Sequence, residues 1–106
     1  MSNKRPREVD SVAEFSVGGR IFATKASTLR NGGAAFANLV LGDDVPTHNG
    51  MPFMDGDPDL FVDIMKYCRG TLSFELPTNK LKLLLAEATA LHLDDLCAKV
   101  KPMVFS

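Results

Sequence analysis

The sequence predicts an α/β domain of the mixed α+β kind: a small sheet begun by an N-terminal hairpin and covered by about five short helices. Three observations carry this prediction. Two alternating apolar runs flank Gly18-Gly19, an Asp57-Pro58 pair opens an amphipathic run, and leucines recur at helical spacing from Leu81 onward. The 106 residues suit one domain with one thin core.

Residues 1–11 are polar and aperiodic and read as a tail, with the domain spanning 12–101 and a second short tail at 102–106. Val12, Phe15 and Val17 alternate, Gly18-Gly19 follows, and Arg20 to Lys25 resumes the alternation. Two glycines between such runs signal a two-residue turn, because both positions need positive φ. That register sets Phe15 opposite Phe22 and Val17 opposite Arg20 on one face. Glu14, Ser16, Ile21 and Ala23 form a mixed opposite face. Ser27-Thr28-Leu29 reads as a helical turn stopped by Asn31-Gly32-Gly33. A short helix is expected over Ala34 to Leu41, ended by Gly42. Asp43 to Gly50 reads as a loop and Pro52-Phe53-Met54 as a short strand.

Asp57 is a good N-cap and Pro58 suits the first helical position. Leu60, Phe61, Ile64, Met65 and Cys68 then share one face, and Gly70 ends the helix. Leu72 to Leu76 is a second strand candidate, broken by Pro77. Thr78 or Asn79 is expected to cap the next helix, which carries Leu81, Leu84, Leu85, Ala88 and Leu91. A last short helix carries Leu93, Leu96 and Val100, with Pro102 stopping it.

Hydrophobic residues make up 45% of the chain and charged residues 24%, with net charge −1, as in ordinary globular domains. No element carries a basic stripe, so nucleic acid is not expected as a partner. Lys4, Arg5 and Arg7 around Pro6 read as a solvated tail, with a weak nuclear-import signal as the alternative. No signal peptide is visible and no apolar run nears the ~18 residues that span a bilayer. Two cysteines, Cys68 and Cys97, are expected to stay reduced, which points to cytosol or nucleus.

Catalytic and cofactor chemistry is not indicated. His48 and His92 have no nucleophile at motif spacing, and His92 with Cys97 falls short of the four ligands of a structural zinc. Asp55, Asp57 and Asp59 open like a calcium loop, but the sixth and twelfth positions hold Leu60 and Lys66. Gly18-Gly19 lacks the lysine and hydroxyl residue of a phosphate loop.

Two segments resemble a known family. Phe15-Ser16-Val17-Gly18-Gly19-Arg20-Ile21-Phe22-Ala23-Thr24, with Ser27-Thr28-Leu29 behind it, is similar to the first hairpin and helix of BTB/POZ domains. The similarity is to the subgroup of potassium-channel tetramerisation domains and soluble KCTD proteins. Phe53-Met54-Asp55-Gly56-Asp57-Pro58, continuing to Phe61, Ile64, Tyr67 and Arg69-Gly70, resembles the same family's central segment. Glu87-Ala88 and Leu93-Asp94-Asp95-Leu96 resemble its closing helices. One departure is Gly56, where the family usually carries Arg. The zinc ligands of some channel members are also missing.

The resemblance implies a non-catalytic interaction domain that forms rings of four or five copies. In some members it also implies contact with a cullin-type ubiquitin-ligase scaffold. Arg20, Asp55, Asp57 and Arg69 are the interface candidates. Asp57 is expected to cap its helix, and Asp55 to meet a basic side chain of a neighbour. Phe36, Leu39 and Val40, with the stretch to Asn49, are the candidate partner surface. A channel's cytoplasmic tetramerisation domain is the alternative function. The start at Met1 and the end without a membrane-directed linker favour the soluble protein as an expectation.

Overall fold

The computed structural model describes residues 10–105. Strands β1 (Val12–Val17) and β2 (Arg20–Lys25) form the expected hairpin, with Phe15 paired to Phe22 and Val17 to Arg20. Gly18 and Gly19 turn at φ 57° and 97°, in the region that glycine enters without steric cost. Helices α1 (Ala26–Arg30) and α2 (Ala34–Leu41) follow. Strands β3 (Thr47–His48) and β4 (Met51–Met54) come next, then α3 (Pro58–Arg69), α4 (Thr78–Ala90) and α5 (Asp94–Val104). The sheet order is β2-β1-β4-β3. It is mixed, because β4 runs parallel to β1 while the other two pairings are antiparallel. Four strands and five helices make the expected α+β architecture.

The core gathers around Phe61 on α3. Its ring meets Phe22 at 4.9 Å, Phe15 at 5.6 Å and Phe36 at 6.1 Å. The first two contacts are edge-to-face, the arrangement that ring quadrupoles favour. This cluster ties the hairpin, α2 and α3 together. The second half of the core is aliphatic: Leu81, Leu84 and Ala88 of α4 bury against Leu96 and Val100 of α5.

Helix α3 has the start and stop its sequence predicts. Asp57 accepts the Asp59 N–H at 2.9 Å, Pro58 occupies the first turn, and Gly70 closes the helix in the left-handed region at φ 80°. Asn31 adds a bond from its side-chain amide to the Cys68 carbonyl at 3.0 Å, pinning α1 to the end of α3.

Four local expectations give way to tertiary context. Leu72 to Leu76 alternates half-buried with exposed, but among the described residues no strand pairs with it, so it is a strap and not a strand. Neither Thr78 nor Asn79 caps α4; Pro77 occupies the cap with ψ near 150° and its carbonyl accepts the Leu81 N–H at 3.0 Å. Pro102 lies inside α5 instead of stopping it. It forfeits one backbone bond in the last turn, the Phe105 N–H still reaches the Lys101 carbonyl at 2.9 Å, and the buried Val100 holds the helix down. The loop Asp43 to Gly50 contains β3, joined to β4 through Asn49 and Gly50, both at positive φ.

At the N-terminal end, Asp10 and Ser11 are held by α1. The Ser11 carbonyl accepts the Ala26 N–H at 2.8 Å, and Asp10 accepts bonds from both the hydroxyl and the N–H of Ser27. Those bonds hold the Asp10 carboxyl below its ordinary pKa. Lys4, Arg5 and Arg7 lie outside the described residues.

Candidate interaction surfaces

The hairpin tip docks onto the segment between β4 and α3. The Gly18 N–H donates to the Met54 carbonyl at 2.9 Å, and any Cβ on Gly18 would fall on the Gly56 carbonyl oxygen. Gly18 is therefore needed twice, for its φ and for this close approach. On the other side of Gly56 a Cβ would meet the Glu87 carboxylate of α4, the far end of a flexible side chain that can give way. That carboxylate accepts the Asp57 N–H at 2.8 Å. Tip and junction thus close on one another through backbone groups, and α4 joins them through the Glu87 side chain.

Arg20, Asp55 and Asp57 gather at this end of α3. Arg69 sits in its last turn, 12 residues along and about 18 Å away at 1.5 Å per residue. Arg20 does not reach Asp55. Its Nη2 donates to the Pro58 carbonyl at 2.8 Å and to Asp59 Oδ1 at 3.3 Å, while the guanidinium lies over the Phe22 ring at 5.4 Å. Among the described residues two ion pairs form, Arg20–Asp59 and Lys80–Asp63, so Asp55 and Arg69 belong to neither.

The expected partner surface is narrower than its three residues suggest. Phe36 and Val40 are core, at 0% and 5% exposure, because α2 turns them onto Phe61 and the sheet. Leu39 alone of the three reaches the surface, where it lines a cleft of about 380 Å³. The floor of that cleft comes from Phe53 and Met54 of β4, Val45, and Leu91 at the end of α4; Asp44 and Asp55 lie on its walls.

The family model of the BTB/POZ domain, of the potassium-channel tetramerisation type, matches residues 14–100. The chain belongs to the BTB/POZ family. No curated protein matches it. BTB/POZ domains are protein–protein interaction modules, generally non-enzymatic, and they commonly self-associate. In this BTB/POZ domain a Cβ at Gly56 would meet the end of the Glu87 side chain.

Glu87 and Gly18 were not singled out as site residues by sequence reasoning, whereas Asp44 falls within the expected partner stretch to Asn49. Glu87 stands on the leucine-rich α4, and only the fold brings it to Asp57. Among the described residues no group of three or more His, Cys, Asp or Glu side chains could hold a metal ion, and no helix is long and apolar enough to cross a membrane. Cys68 and Cys97 are both free and buried, and burial pushes the Cys68 thiol up to about 11.

Proposed function

We propose that this BTB/POZ domain is a non-catalytic assembly module whose copies close into a homo-oligomer of four or five subunits. The family match over residues 14–100 carries the reading. Neighbours in a ring use two different surfaces, so the contact is heterologous. Asp55 supplies an exposed carboxylate that is in neither ion pair of the described residues and is available to a neighbour's basic side chain. Arg20 and Asp57 border the same contact, with part of their hydrogen-bonding capacity already used within the chain.

As a soluble adaptor in the cytosol or nucleus, the oligomer engages a cullin-type ubiquitin-ligase scaffold through Leu39 and the loop that follows α2. Calorimetric titration with a cullin N-terminal domain tests the adaptor role. Absence of heat at high micromolar concentration, from folded and oligomeric protein, removes it. The potassium-channel type of the matched family supports a second reading, the cytoplasmic assembly domain of a channel. A full-length transcript with six apolar segments of about 20 residues would decide for the channel. Self-assembly itself is read from light scattering on a sizing column, where a single-subunit mass at tens of micromolar contradicts it.

A further inference from the structure

We propose that the cleft beside α2 receives the C-terminal turn of α5 from a second copy of this chain. The inference rests on the self-assembly proposed above, names the two surfaces that meet, and makes the neighbouring copy a competitor of the cullin scaffold for Leu39.

The cleft is an apolar socket with acidic walls. Leu39, Val45, Phe53, Met54 and Leu91 line it, and Asp44 and Asp55 are exposed carboxylates outside both ion pairs of the described residues. An apolar floor between unpaired acids suits an apolar side chain with a cation nearby.

Among the described residues the chain presents such a group most openly at the end of α5. Phe105, at 73%, is the most exposed of its large apolar residues, and Met103 on the preceding turn is 40% exposed. Lys101, also exposed, lies one turn back and is in neither ion pair. Lys99 is less suited, since its ammonium is drawn over the Phe74 ring at 5.7 Å. A phenyl ring left this open costs solvation that burial in a partner would recover.

The plug does not reach its own socket. Leu91 closes the cleft at the end of α4, and α5 starts at Asp94 and carries Phe105 away over 11 helical residues, about 16 Å. Socket and plug therefore meet only between copies. Since they are different surfaces, the contact is head-to-tail and propagates around a ring.

Co-expression of a tagged Leu39→Cys chain with an untagged Phe105→Cys chain tests this under mild oxidation. The expected product is a mixed cross-linked dimer that neither variant gives alone and that the wild type, with its buried Cys68 and Cys97, does not give. Val45→Cys replaces Leu39→Cys should the latter fail to fold. Charge reversal supplies a second readout: Asp55→Lys should lower the oligomer mass, and Lys101→Asp in the same chain should restore it. An oligomeric wild type with no mixed product and no restoration overturns the plug and leaves self-assembly standing. A monomeric wild type at tens of micromolar overturns both.

Discussion

The hairpin tip and the cleft beside α2 share the Met54–Asp59 segment, yet they treat its charges in opposite ways. On the tip side Arg20 bonds Pro58 and Asp59, Asp57 caps α3, and Glu87 takes the Asp57 N–H. On the cleft side Asp55 and Asp44 stand exposed with no cation paired to them among the described residues. Acids two residues apart in sequence thus do different work. Asp57 caps α3, and Asp55 is the acid proposed for recognition. A satisfied polar group contributes to stability, whereas an exposed unsatisfied one costs little and is free to bind.

Substitutions that separate folding from assembly sharpen this contrast. The largest effect is expected in the core on which both regions rest. Phe61→Ala removes the ring that meets Phe15, Phe22 and Phe36, and should cost about 4 kcal/mol by urea denaturation. Gly18→Ala should cost about 3 kcal/mol, from positive φ and from collision with the Gly56 carbonyl. A loss below about 1 kcal/mol would mean that tip and junction are not closely joined.

Next come the two acids. Asp57→Ala should lower stability by about 1 kcal/mol through loss of the cap, with the oligomer mass retained. Asp55→Ala should change stability by less than about 0.5 kcal/mol and weaken assembly, as seen by sedimentation at physiological salt. The reverse pattern would break the contrast between the two sides.

The smallest effect belongs to Cys68. Burial raises its thiol from an ordinary 9.0 to about 11, so the folded chain holds this proton more tightly than the unfolded chain. That contribution is complete below pH 9 and is lost as pH rises toward 11. Cys68→Ala should flatten this part of the alkaline stability profile, measured by thermal melting across that window.

How far the sequence predicts each region depends on how local its determinants are. Helix α3 is legible end to end because cap, Pro, apolar face and Gly70 all fall within one run. The β1–β2 register is equally legible, since two glycines fix the turn. Asn49-Gly50 carries a comparable turn signal, but its flanking strands are too short for alternation to reveal a hairpin. The parallel pairing of Ser16 with Phe53 depends on contacts distant in sequence, and so does the meeting of Glu87 with Asp57. On α2, seven of eight residues are apolar and cannot be sorted by spacing alone. The fold buries Phe36 and Ala37, exposes Ala34 and Ala35, and leaves Leu39 half-buried at the cleft.

Sedimentation equilibrium of the wild-type chain at tens of micromolar and physiological salt tests self-assembly most directly. The account predicts a mass four or five times that of one subunit. A single-subunit mass under the same conditions, from protein shown to be folded, would contradict it.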